Sequence, residues 1–147
     1  MDSIADKINR DFIAAYKDRD EQLVSVLRMI KSAIQNTEIA LKAKLSEAET
    51  IKLLKKEIKQ RKEASQQYIQ GGREDLAKKE DGEVAILEKY LPAEMSNEEI
   101  EAVVVTVIDE LKASSKADFG KVMSAAMARL GGLADGANVS KIVNSKL

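Results

Sequence analysis

The sequence predicts an all-α protein, and three observations carry that prediction. Only one proline and five aromatic residues occur in 147 positions, too few turn-formers and ring side chains for a β-sheet domain. Serine or aspartate stands just ahead of several apolar-periodic stretches, in three cases with an acid three positions on, which is a helix-start signature. Within those stretches the apolar residues recur three and four apart.

Ser3 with Asp6 opens a first helix, lined on one side by Ile4, Ile8, Phe12 and Ala15. Asp20 caps a second, in which Leu23, Leu27, Ile30, Ile34 and Leu41 form a core-facing stripe. Ser46 with Glu49 starts a third, whose seam is Ile51, Leu54, Ile58 and Tyr68 and whose end is the Gly71-Gly72 pair. A fourth runs from about Asp75 to Tyr90 and stops ahead of Pro92. Gly82 interrupts it at a cost of about 1 kcal/mol relative to alanine, so a bend or local fraying is expected there.

Past Pro92, Ser96 with Glu99 caps a fifth helix carrying Ile100, Val103, Val104, Val107 and Leu111. Its AVVVTVI run also suits a strand, but the cap, the spacing and the flanking Glu101, Asp109 and Glu110 agree on helix. A sixth spans about Ala117 to Leu130 and buries Phe119, Val122, Met123, Ala126 and Met127. A short seventh begins near Asn138. The chain thus divides into an N-terminal helical domain of about four helices, 1–92, and a compact three-helix domain, 93–147.

Composition limits the chemistry. Histidine and cysteine are both absent, which removes thiolate nucleophiles, disulfides, the common zinc sites and the usual neutral-pH general base. No catalytic residue, metal site or cofactor is expected. The net charge of −1 supplies no global field toward nucleic acid or anionic lipid, so neither DNA nor a membrane is an expected partner. The opening MDSIADKINRD is too acidic and polar for a signal or transit peptide, and the apolar stretches are too short to span a bilayer. A cytoplasmic location is the expectation.

Gly131 and Gly136 form a G-x-x-x-x-G, the outline of a phosphate-cradling loop. Ala137 and Asn138 follow in place of Lys and Ser or Thr, and a helix rather than a strand precedes, so the match is accidental. Gly131-Gly132 read as a helix end, Asp135-Gly136 as a turn and Asn138 as the next N-cap.

Five ordered blocks, LRMIKSAIQNTEIA (27–40), GREDLAKKEDGEVAILEKYLP (72–92), MSNEEIEAVV (95–104), DFGKVMSAAMARL (118–130) and LADGANVSKIV (133–143), resemble the YqeY-like family over nearly the whole chain. The resemblance implies an all-helical fold whose C-terminal part is similar to the tail domain of GatB, the B subunit of the tRNA-dependent amidotransferase. That tail grips the outer part of tRNA, while phosphorylation and amide transfer take place in a domain with no counterpart here. The family's turn often carries basic residues, in a form like K-G-R-A-D-G-K. This sequence has Gly131, Leu133 and Ala137 at the corresponding positions.

The RNA-binding candidates that remain are Lys116, Lys121, Arg129 and Lys141, with Lys146 beyond. From Pro92 onward there are six basic and eight acidic residues, so any tRNA contact of the tail is expected to be weak. On the third helix Lys52, Lys55, Lys59 and Lys62 repeat at helical spacing, with Lys56 and Arg61 beside them. That stripe suits a nucleic-acid backbone or an acidic partner, or it is a solvated face. No aromatic residue interleaves with it to stack bases. The acidic groups Glu98, Glu99, Glu101 and Asp109, Glu110 read as solvated surface. Met123 and Met127 read as core or, alternatively, a partner groove. Three functions follow: a non-catalytic tRNA-binding or amidotransferase-associated module, a helical protein-interaction adaptor, or a carbon–nitrogen ligase activity using glutamine. The missing histidine and cysteine weigh against the third.

Overall fold

The computed structural model describes residues 3–147, and among them it contains seven α-helices and no strand. These are α1 (Ile4–Asp18), α2 (Glu21–Leu41), α3 (Glu47–Gln70), α4 (Glu74–Glu88), α5 (Asn97–Leu111), α6 (Phe119–Leu130) and α7 (Gly136–Lys146). A 3₁₀ turn over Lys116–Asp118 leads into α6.

The helix starts follow the predicted caps. Ser3 and Asp6 exchange side-chain hydrogen bonds with each other's backbone, as do Ser46 and Glu49. Asp20 accepts from the Leu23 N–H at 3.2 Å, and Ser96 from the Glu99 N–H at 3.2 Å. Each cap satisfies a donor that the first turn of a helix leaves without a partner. The valine-rich α5 is helical throughout, so its cap and periodicity outweigh β-propensity.

The helix ends are less uniform. Gly72 takes a positive φ of 76° after α3, as the glycine pair requires. The ends of α1, α2 and α5 reach the same left-handed geometry with Arg19, Lys42 and Lys112, at φ of 56°, 55° and 53°. In each case the next residue's N–H closes on the carbonyl five positions back.

The chain forms two compact units, Met1–Leu91 and Pro92–Leu147. In the first, α1 with α2 and α3 with α4 pack as helical hairpins around Ile8, Leu27, Ile30, Leu54 and Leu87, all fully buried. In the second, Ile100, Val104, Val107, Val122, Leu130, Val139 and Val143 from α5, α6 and α7 form the core. Two predicted stripe members, Leu41 and Leu111, are the last residues of α2 and α5 and are exposed, and the predicted Tyr68 of α3 is half-buried.

Gly82 does not break α4, which runs through it without interruption. A Cβ there would stand 2.8 Å from the side-chain amide nitrogen of Gln22, the movable end of an exposed side chain, and would meet no backbone of α2.

Candidate docking surfaces

The glycine-bounded turn uses its own backbone groups. The Gly131 N–H donates to Met127 O at 2.9 Å, and Gly131 adopts φ 58°, ψ −133°, a region essentially reserved for glycine. The Leu133 N–H donates to Leu130 O at 3.1 Å, while the Leu133 carbonyl accepts from the Met95 N–H at 3.0 Å, joining the turn to the entry of α5. Gly132 and Ala134 are buried.

The start of α7 differs from the sequence expectation. Asp135 is the N-cap, accepting from the Ala137 N–H at 3.2 Å, and Gly136 is the first helical residue rather than part of a turn. Asn138 instead donates from its amide to Asn97 Oδ1 at 2.6 Å, tying α7 to α5. Aspartate one residue ahead of the helix reaches the free N–H groups first, which leaves the asparagine amide for a tertiary bond. A carboxylate therefore already sits on the electropositive end of α7, where an anionic ligand would meet repulsion.

The tail cations are scattered and partly neutralised. Arg129 pairs with Glu110, and Lys146 with Glu101 at 2.6 Å. Lys116, Lys121 and Lys141 are exposed on the 3₁₀ turn, α6 and α7. Lys121 and Arg129 stand eight residues apart on α6, a span of about 12 Å.

The α3 stripe is also redistributed. Lys52, Lys56 and Lys59 are exposed at successive helical turns, Lys55 is half-buried, and Lys62 crosses to Glu88 on α4 at 3.3 Å. Arg61 leaves the surface. Its Nη1 donates to Glu57 Oε2 at 2.7 Å and to the Glu57 carbonyl at 2.9 Å, and Nη2 contacts the Met29 sulfur. Its buried Nε stands 3.3 Å from Glu83 Oε2 but off the line of a hydrogen bond. Nearby, burial and the adjacent Glu83 push the Glu80 carboxyl above its ordinary range.

Two arrangements in the first unit were not visible in the sequence. Tyr90 at the end of the fourth-helix segment donates to Asp11 Oδ2 on α1 at 2.6 Å, with Lys7 over its ring. Burial and then the Asp11 bond keep this phenol protonated far above its usual titration range. A cleft of about 290 Å³ opens beside it, lined by acids and lysines together. On α1, the Phe12 ring lies 6.4 Å from that of Tyr16, and Arg28 and Lys31 of α2 extend over Phe12 at 5.8 and 4.4 Å. The four-residue spacing of the two aromatics was the available signal.

Among the described residues, no group of three or more acids is placed to hold a metal ion, and no helix is long and apolar enough to cross a membrane. The family model for Yqey-like proteins matches residues 5–147. The chain belongs to the Yqey-like family. Similar proteins include Altered inheritance of mitochondria protein 41, mitochondrial, of Kluyveromyces lactis, 36% identical over 131 residues, covering 83% of this chain and 70% of that protein. The Saccharomyces cerevisiae protein of the same name is 38% identical over 74 residues, 50% of this chain and 40% of its own length. A Schizosaccharomyces pombe protein described as uncharacterized is 31% identical over 90 residues, 61% of this chain and 73% of its own.

These relatives overturn the cytoplasmic assignment, since those that carry a location in their names are mitochondrial. The physical reason is plain in the fold. From Ser3 onward, the N-terminal residues used for that assignment form the cap and first turns of α1, so their polarity reflects helix capping and solvation rather than compartment.

Proposed function

We propose that this protein is a non-catalytic helical docking module that acts by binding a protein partner, with a subunit of a tRNA-dependent amidotransferase as the first partner to test. The supporting observation is the condition of the C-terminal unit. Its turn is closed by internal backbone bonds, Asp135 covers the start of α7, and Arg129 and Lys146 are engaged by Glu110 and Glu101. Such a surface favours a partner with its own mixed charges over a polyphosphate backbone. The sequence has neither histidine nor cysteine, which supports a role without covalent or acid–base chemistry.

A second reading, contact with tRNA, is favoured by one observation: the run of exposed Lys52, Lys56 and Lys59 along α3. A titration with tRNA at two salt concentrations separates the two. Phosphate contact gives affinity that falls steeply with salt, and changing Lys52, Lys55 and Lys59 to glutamate weakens it. Absence of binding at low salt leaves the protein-partner reading. Co-purification with an amidotransferase subunit supports that partner, and release of ammonia from glutamine by the pure chain refutes the non-catalytic assignment.

A further inference from the structure

The α1–α2 hairpin presents an apolar strip between two sets of cations. Tyr16 is 64% and Ile13 54% exposed, and Phe12 is half-buried beside them. Residues 12, 13 and 16 fall on adjoining parts of one helix face, and Lys17, four positions after Ile13, borders that face on the far side. Arg28 and Lys31 border it on the α2 side, held over the Phe12 ring. Through Arg28 the strip continues into an open groove of about 590 Å³ along α2, where Val24 and Met29 supply further apolar lining and Glu21 is the acid in the lining.

Cations without carboxylate partners standing beside exposed apolar side chains identify an occupant. Some cations of this unit meet carboxylates, as Arg61 does with Glu57 and Glu83, Lys62 with Glu88 and Arg73 with Asp75, and the exposed Lys52, Lys56 and Lys59 of α3 have no aromatic residue among them. Among the described residues, Lys17, Arg28 and Lys31 have no carboxylate within ion-pair range. A complementary ligand must therefore be apolar along its centre and negative along both flanks. An amphipathic helix with acidic residues beside its apolar stripe has that pattern, its leucine-type side chains seated on Phe12, Ile13 and Tyr16. Single-stranded nucleic acid matches less well. One face of Phe12 is already taken by Lys31, its ring is tilted 35° from that of Tyr16, and Ile13 offers no stacking surface.

We infer that the α1–α2 face is a docking site for an acidic amphipathic helix of a partner protein. The inference rests on the docking-module reading above and assigns it a surface and a ligand class.

The test is fluorescence anisotropy with the full chain and a labelled synthetic peptide carrying leucines at helical spacing flanked by glutamates. Its controls are a peptide with lysines in place of the glutamates, labelled oligouridylate, and vesicles containing phosphatidylserine. Saturable binding of the acidic peptide alone is expected. Binding should weaken about tenfold or more in an Ile13→Ala, Tyr16→Ala variant and in an Arg28→Gln, Lys31→Gln variant, and it should fall with salt. Circular dichroism checks that each variant folds. The Arg28→Gln, Lys31→Gln pair, lying on the border with Arg28 exposed and Lys31 half-buried, decides the matter if the first does not. No binding of the acidic peptide, equal binding by the variants, or preference for oligouridylate or vesicles overturns the inference. Should an amidotransferase subunit co-purify equally with wild type and both variants, the docking-module reading stands and this surface is rejected. Ammonia release from glutamine by the pure chain defeats the module reading alone.

Discussion

Replacing Arg61 with methionine isolates the one cation buried between α3 and α4. The arginine side chain is 11% exposed, and its partners Glu57 and Glu83 are 19% and 16% exposed. Methionine retains most of the stem and its packing but removes the charge. Three acids, Glu57, Glu80 and Glu83, then remain with Lys79 as the weaker compensating charge on Glu80. Removing one member of a fully buried pair costs about 3–5 kcal/mol, and the residual solvent access here reduces that to about 2–3 kcal/mol. This is a large share of the roughly 5–15 kcal/mol that holds a domain folded.

The sign of the pH dependence follows from Glu80. Burial and Glu83 raise its folded pKa above the ordinary 4.5, while Arg61 pulls it down. Without Arg61 the folded value rises further. A carboxyl with a raised folded pKa contributes stability below its unfolded value and loses it as pH rises through the folded value. The deficit of Arg61→Met relative to wild type should therefore be full near neutral pH and shrink toward pH 4.5. Urea titrations followed by circular dichroism at both pH values measure it. A neutral-pH deficit below about 0.5 kcal/mol, or one that does not change with pH, refutes the assignment of Arg61 as the compensating charge.

Three further substitutions probe features of both units. Gly82→Ala should raise stability by about 0.5 kcal/mol, because helix propensity gains about 1 kcal/mol and the exposed Gln22 amide can swing aside; a lower urea midpoint would mean that it cannot. Gly131→Ala should destabilise the C-terminal unit by about 1–3 kcal/mol, since φ 58°, ψ −133° is strained for any side chain, and an unchanged Tm would contradict this. Tyr90→Phe removes the donor to Asp11 and should cost about 1–2 kcal/mol in the same denaturant assay. In an alkaline absorbance titration of wild type, Tyr90 should ionise well above the usual value of 10, and ionisation of all three tyrosines together in the ordinary range would refute its burial.

What was legible in the sequence was local. Ser3, Asp20, Ser46 and Ser96 act within three residues of themselves, so the starts of α1, α2, α3 and α5 could be read from neighbouring positions. What escaped depends on elements distant in the chain. A left-handed Arg19 or Lys112 is spelled like any helical arginine or lysine, and Gly82 looks like a weak point although the packing of α4 on α3 keeps the helix continuous through it. Asp135 and Asn138 are both good caps, and the glycine between them favoured the wrong one. Leu41 and Leu111 continue their stripes in period, but periodicity does not record where the neighbouring helices stop. For the candidate surfaces, the α3 lysines were evident, whereas Arg61 became an interior group only once α4 brought Glu83 across. The cations over Phe12 required the α1–α2 pairing.

The left-handed residues Arg19, Lys42 and Lys112 hold conformations that glycine adopts about 1 kcal/mol more easily. Two belong to the first unit and one to the second. Each half of the chain thus has its own stability adjustment, remote from its hydrophobic centre. Glycine at position 112 alone would shift one melting transition if the halves unfold separately, and the whole curve if they unfold as one, so a single exposed residue reports on their cooperativity.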